Sequence, residues 1–442
     1  MSQPSTLDSS VPSDLLSAAL RSTRDAEVFW GREEAVTGAF VDDREQSQKQ
    51  DAEAISLRVI SSGRFGHVSH LGAVSRLDSV AFVKRATAAA AEGRPAPPTF
   101  WKERESGIDV ATFDEDVAAL HEVDLRRMAR QATMRARDVL GDLPVQVAVR
   151  RLVRRTLLMT RMCERQAEKT ILQMQMRVGP VPDTGAIWAE SWATSRAPDD
   201  PLSALGNIVW KASVGRQTAP LPTAPCRVVF GPRAVAVALR WLSETLTGTA
   251  VLDGRSRWDT SMIDEPVLSE RVTIVDNPLR PWAPPSGTYD AEGLPRIRRT
   301  LVEGGTLRAL LLDLSSAFQL ALEPSAAASR GLDTPPLPAA SFLELASGSD
   351  GFEALLASCE GGVYVDGLAE KDGPDAEGDF NTPATAAFRI RGGRPSGWLG
   401  NVSVSGNLYT LFRRQVLAVG SDRVASQSAC CGSIAFEDVS IE

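Results

Sequence analysis

Apolar and polar positions alternate with different periods along this chain, and each change of period marks an element. Leu15–Thr23 has the makings of a short helix. Glu27–Val41 and Ala54–Ser62 alternate as strands do, with polar Asp42–Asp51 expected as a connection between them. Ser75–Glu92 carries Leu77, Val80, Ala81 and Lys84 at helical spacing, and Gly93 ends it. Thr112-Phe113-Asp114-Glu115 reads as a capping box opening a long helix, with Val117, Leu120, Asp124, Met128, Ala132 and Ala136 along its faces. Asp124 interrupts the apolar row. From Val145 to Val178 the period becomes two. Val145, Val147 and Val149, then Leu172, Met174, Met176 and Val178, alternate with polar or small residues as half-buried antiparallel strands do. Asp199–Gly215 reads as another helix, and Thr218–Pro225 is a proline-rich linker.

After the linker, Val228-Val229-Phe230 is an apolar strand, Gly231-Pro232 breaks it, and Ala234–Leu246 is an apolar helix. Beyond that unit, short apolar runs separated by Gly, Pro, Asn and Asp predict mostly strands. Ser349–Cys359 is expected as one more helix, with Ser349 as N-cap and Gly361 past its end, and acidic Asp366–Glu377 as an exposed loop. The expected fold class is α+β. Residues 1–13 would form a loose tail and 14–217 a mixed N-terminal domain with the long helix. Residues 218–225 would be the linker and 226–442 a β-rich C-terminal domain.

Composition narrows the classes of function. The 442 residues suffice for two or three domains, and 24% charged with 43% hydrophobic residues is an ordinary soluble balance. A net charge of −8 disfavours non-specific nucleic-acid binding. The Arg126, Arg127, Arg130, Arg135 and Arg137 cluster is better read as a solvated helix face or a subunit contact. No apolar run approaches the roughly 20 residues of a membrane span, and the polar N-terminus lacks the pattern of a signal peptide. Five cysteines, an odd number without a Cys-x-x-Cys pair, suit a reducing compartment, so a cytoplasmic location is expected.

The strand-turn-helix at Val228–Leu246 resembles the opening of the C-terminal domain in the TldD/TldE (PmbA) family. Further motifs follow in the family's order. Ala26–Trp30, Ile55–Val59 and Gly63-Arg64-Phe65-Gly66 precede it. Val272–Pro278, Asp290-Ala291-Glu292-Gly293, Leu301–Leu307, Ala317 and Arg330 come after. Gly362–Val365, Gly378-Asp379-Phe380, Ser405-Gly406-Asn407 and Val419–Asp422 close the series. Proteolytic members carry His-Glu-x-x-x-His on the helix and bind zinc with it. Matched outward from Gly231-Pro232, the two histidine positions here are Arg240 and Thr245, and the glutamate position is Trp241. Zinc needs lone-pair donors, and a guanidinium has none to offer. The resemblance therefore implies a metal-lacking, TldE/PmbA-like subunit with no cofactor of its own. Zinc would sit in a TldD-like partner, with unfolded peptide as substrate of the assembly. A homodimeric peptide-binding protein without a protease partner, and a peptidase or other hydrolase with a diverged site, are the alternatives.

Other chemistry finds less support. His67 and His70 lie three apart on a strand, where side chains face opposite sides. His121-Glu122 has no second histidine at helical spacing. Cys430 and Cys431 are either a relic of the family's cysteine ligand or small buried hydrophobes in a strand, and the strand reading is preferred. Gly-x-Ser-x-Gly, phosphate-loop and dinucleotide fingerprints are all absent from the sequence. Trp241, Trp258, Trp282 and Trp398 are candidate interface anchors, with core packing the simpler reading.

Overall fold

The computed structural model describes residues 10–74, 77–102, 106–198, 205–222, 225–370 and 373–442. Six antiparallel strands form the N-terminal sheet: β1 (Asp25–Val41), β2 (Arg44–Ser61), β3 (Arg64–Leu71), β4 (Val145–Thr160), β5 (Glu164–Val178) and β6 (Trp188–Thr194). Their order is β3-β2-β1-β4-β5-β6. One face is covered by helices α1 (Ser10–Leu20), α2 (Ser79–Ala89) and α4 (Glu122–Leu140), with α3 (Glu115–Ala118) a single turn before α4. Gly38 of β1 lies where α4 crosses the sheet; a Cβ there would sit 2.5 Å from the Arg126 backbone nitrogen. No other residue allows that approach.

The α+β expectation holds, and several boundaries are corrected. Residues 10–13 belong to α1, which is anchored by Leu15, Leu16 and Ala19 in the core; residues 1–9 lie outside the described residues. Polar Arg44–Asp51 is strand. It pairs in full register with β1 after an Asp42-Asp43 turn in which both residues have positive φ. Its exposed acids meet the arginines of α4, through Arg126–Glu45 at 3.5 Å, Arg130–Glu45 at 3.7 Å and Arg137–Asp43 at 2.6 Å. Arg126, Arg130 and Arg137 of that cluster are thus paired with acids of the β1–β2 hairpin. The long helix starts at Glu122 rather than at Thr112. Asp124 accepts from the His121 backbone N–H and opens a new helix, and this is the physical meaning of the interrupted apolar row. Residues 199–204 of the helix expected at Asp199–Gly215 lie outside the described residues, and α5 runs Leu205–Val214.

The C-terminal half opens with β7 (Cys226–Phe230) and α6 (Pro232–Thr245). Pro232 at the first helical turn and Gly231 as N-cap fit the start of a helix. Gly231 is also required sterically, because a Cβ there would meet the Tyr364 hydroxyl at 2.5 Å. Nine of its fourteen residues are buried, and Arg233, Arg240 and Glu244 mark the stripe that is not. Strand Val363–Leu368 lies parallel to β7, and Ile434–Ile441 antiparallel on its other side, followed by Ser403–Asn407. The long strand Asp379–Arg391 pairs with Ser403–Asn407 through its first half and with Val363–Leu368 through its second. That double pairing closes a barrel. A second, six-stranded sheet runs from Thr306-Leu307 through Arg299–Glu303, Ile274–Asp276 and Leu343–Leu345 to Ala429–Cys431 and Val424-Ala425. The expected helix at Ser349–Cys359 spans Phe352–Ser358, with Gly351 at its N-cap in place of Ser349. Asp366–Leu368, expected in a loop, ends a buried strand.

Candidate functional site between the halves

Opposite charges on neighbouring strands of the sheet's open face recruit charges from the C-terminal half. Glu27 on β1 pairs in register with Arg58 on β2. The Arg58 guanidinium donates to Glu27 at 2.9 Å and to Glu292 at 2.7 Å. Arg330 donates to the other Glu27 oxygen at 2.6 Å. All four are almost fully buried. Phe65 and Phe100 lie under Arg58 at 4.5 and 4.9 Å. Burial pushes the Glu292 carboxyl up to about 7, opposed by Arg58 and reinforced by the nearby carboxylates Asp313, Asp290 and Glu27. Glu292 and Arg330 were legible as motif positions; their convergence on the Glu27–Arg58 pair was not.

A second buried cluster lies at the start of α6. Lys211 on α5 contacts both Glu190 on β6 and Asp366, and Arg233 bridges the same two carboxylates. The Tyr364 hydroxyl donates to Asp366 at 3.0 Å, and Asn207 donates to Glu190 at 2.7 Å. This cluster joins β6, α5, α6 and the barrel. Trp188, stacked on Phe388 at 5.6 Å, supplies the apolar part of the same junction.

The positions matched to the family's zinc motif do not form a metal cage. Arg240 points outward from α6 and donates to the Glu370 carboxylate at 3.1 Å and to the Glu370 carbonyl at 2.9 Å. Trp241 points inward, 2% exposed, against Phe380 at 5.6 Å. The Thr245 hydroxyl is buried and donates to the Leu242 carbonyl at 2.7 Å. Cys431 lies at the other end of the helix, its thiol donating to the Pro232 carbonyl at 3.1 Å. Eight residues of α-helix separate Pro232 from Arg240, about 12 Å along the axis. Burial pushes the Cys431 thiol up to about 12, the opposite of what a thiolate ligand needs. Cys430 packs with Ala283 and Phe342. Both cysteines sit in the buried strand Ala429–Cys431. Among the described residues no group of three or more His, Cys, Asp and Glu is placed to hold a metal ion. A guanidinium, an indole and a satisfied hydroxyl do not fit zinc.

The other candidates are equally placed. His67 and His70 lie on β3, with His67 half-buried and pushed down to about 4 by burial and by Arg330 and Arg58. His121 caps α4. Trp241 and Trp258 are buried in the C-terminal core, whereas Trp282 lines an open cleft. That cleft, of about 880 Å³, lies between β6, the start of α6 and the loop around Arg280–Pro284. No sequence motif pointed to it, because its walls come from segments far apart in the chain.

The fold is α+β, with a mixed N-terminal half and a β-rich C-terminal half. Residues 223–442 match the PmbA/TldA metallopeptidase C-terminal domain. The chain belongs to the TldD/TldE (PmbA) family. A protein named metalloprotease from Methanothermobacter thermautotrophicus is 34% identical over 177 residues, covering 40% of this chain and 37% of that protein. The match to that curated relative thus spans little more than a third of its length. The structure of TldE from Thermococcus kodakarensis superposes with a TM-score of 0.84 at 16% identity, over 98% of this chain and 100% of that one. A putative modulator of a DNA gyrase from Thermotoga maritima gives 0.82 at 17%, over 98% and 99%. At those identities the two structures show the shared fold.

Proposed function

We propose that this chain is the non-catalytic, TldE/PmbA-like subunit of a TldD/TldE-type metalloprotease acting on unfolded peptides. It completes the chamber, positions an extended peptide and stabilises the metal-binding partner. The observation that carries this reading is the fate of the zinc-motif positions: Arg240 is tied to Glu370 and Trp241 is core. The partner would supply the metal that polarises the scissile carbonyl and activates water. This chain would supply no ligand and no general base, since an indole takes up no proton. All five cysteines are free, which accords with work in the cytoplasm.

The test is co-expression with a His-Glu-x-x-x-His relative, followed by co-purification, zinc analysis and digestion of an unfolded peptide. The isolated chain is expected to carry no stoichiometric zinc and to cleave nothing, while the pair co-purifies and cleaves. Stoichiometric zinc in the isolated chain, or cleavage by it, would refute the proposal. Failure of the pair to co-purify would favour a homodimeric binding protein.

A further inference from the structure

The face of β4 and β5 turned away from the helices carries a trough. Register pairs run along it from Leu158 opposite Arg165 to Arg150 opposite Gln173. At about 3.3 Å per residue those eight steps span roughly 26 Å. The loop around Pro284 forms the wall. Three adjoining hollows of about 760, 170 and 880 Å³ all touch Pro284 and line up beneath it, the last opening at the edge strand β6. The loop is pinned to the floor by Lys169, whose amine donates to the Pro284 and Ser286 carbonyls at 2.7 Å each. A trough of this length matches an extended segment of about eight residues.

Its charge is lopsided. Arg150, Lys169, Arg196 and Arg296 line it, and none has a carboxylate partner within 4.0 Å among the described residues. Arg296 and Lys169 are held by neutral groups only, through main-chain carbonyls and the Ser341 hydroxyl. The carboxylates along the trough are mostly engaged. Asp290 accepts three backbone N–H groups, Glu168 pairs with Arg155, Asp366 with Lys211, and Asp422 accepts from Ser433. Arg296 feels the buried carboxylates Asp290 and Asp276 without an ion-pair contact, while Arg150 and Arg196 have no ion pair among the described residues, so in a protein of net charge −8 the trough is a local reversal of sign. Partly desolvated cations are costly unless an anion meets them.

We infer that the trough binds an extended acidic peptide segment, its carboxylates meeting Arg150, Lys169, Arg196 and Arg296. This rests on the peptide-positioning reading above and adds the substrate class to it. The net charge of −8 on the whole chain weighs against a nucleic-acid strand, whose phosphates carry the same sign.

The experiment measures fluorescence anisotropy of four labelled probes on the full chain at low salt. These are an eight-residue peptide alternating Glu and Ala, its Gln and Lys counterparts, and an eight-nucleotide single-stranded oligonucleotide. The Glu peptide is expected to bind at least tenfold tighter than the Gln peptide, with the preference shrinking as salt rises. Arg150→Gln with Arg196→Gln should weaken the Glu peptide at least fivefold and leave the Gln peptide unchanged. Both side chains are solvent-accessible, so the thermal midpoint should not move, and Arg196→Gln alone provides the reading if the pair folds poorly. Equal affinity for Glu and Gln peptides, no effect of the substitutions, no binding of any peptide, or tighter binding of the Lys peptide or the oligonucleotide would each overturn the inference. Successful co-purification with the metal-binding relative alongside equal Glu and Gln affinity would sink the charge preference and leave the subunit reading standing.

Discussion

Removing Arg58 should be among the most destabilising single changes in the chain. Arg58→Met keeps the length and apolar stem of the side chain and deletes two buried ion pairs, at 2.9 Å to Glu27 and 2.7 Å to Glu292. Glu27 retains Arg330. Among the described residues Glu292 retains only the Leu314 backbone N–H at 2.8 Å, beside Asp290 and Asp313. Breaking a buried pair by deleting one partner costs roughly 3–5 kcal/mol, a large fraction of the ~5–15 kcal/mol that holds a typical protein folded. The assay is guanidinium unfolding of wild type and variant, followed by tryptophan fluorescence and far-ultraviolet circular dichroism. Glu292→Gln in the Arg58→Met background should recover at least ~1.5 kcal/mol of the loss, since it removes the stranded charge. The pH dependence has a definite sign. The folded pKa of Glu292 lies above its unfolded value, so the stability it contributes is present at low pH and is lost as pH rises through about 7. The cost of Arg58→Met should accordingly be smaller at pH 5 than at pH 8. A loss under ~1 kcal/mol at pH 8, or a cost that does not vary with pH, would refute the account of this cluster.

Three further outcomes are expected. Trp241→Ala should cost ~3–5 kcal/mol in unfolding free energy, while Trp241→Phe should cost much less because the buried indole N–H has no acceptor among the described residues; comparable losses for the two would show that Trp241 is not held by packing. In a thiol titration the native chain should leave Cys431 unmodified over hours while unfolded chain reacts at all five cysteines; mass mapping that finds Cys431 labelled first would contradict its placement. Burial, with Arg296 and Arg154 nearby, pushes the Lys169 amine down to about 7. Wild-type stability relative to Lys169→Met should therefore rise between pH 6.5 and 9.5, as the folded state sheds a proton that the unfolded chain keeps; a difference independent of pH would rule this out.

Much of the scaffold could be read from the chain because its signals are local. Alternation at Val145–Val149 and Leu172–Val178 gave β4 and β5, and Gly231-Pro232 gave the start of α6. The misreadings have local causes too. Arg44–Asp51 is too polar to read as strand, because what it faces is solvent and the arginines of α4 rather than a core. The second cap, at His121, was hidden because Asp124 looked like a flaw in an apolar row. At Arg240, Trp241 and Thr245 the residue types alone argue against ligating zinc, because none offers an imidazole, thiolate or carboxylate. The trough was not legible, since its floor, wall and cations come from β4, β5 and a loop more than a hundred residues later. Nor was the Glu190–Lys211–Asp366–Arg233 cluster, whose members carry no pattern until α5 and α6 are set side by side.

The ties across the Glu27 cluster also bear on how the protein is made. Arg58 and Glu292 are 234 positions apart, and Glu27 and Arg330 are 303. At ribosomal rates of about 5–20 residues per second, Arg58 emerges roughly 10–50 s before its second carboxylate exists. During that interval the nascent N-terminal sheet exposes a face whose charges are only half matched. A chain ended near residue 217 would be frozen in that condition as an aggregation-prone fragment, whereas the full chain needs shelter only until Glu292 and Arg330 have been made.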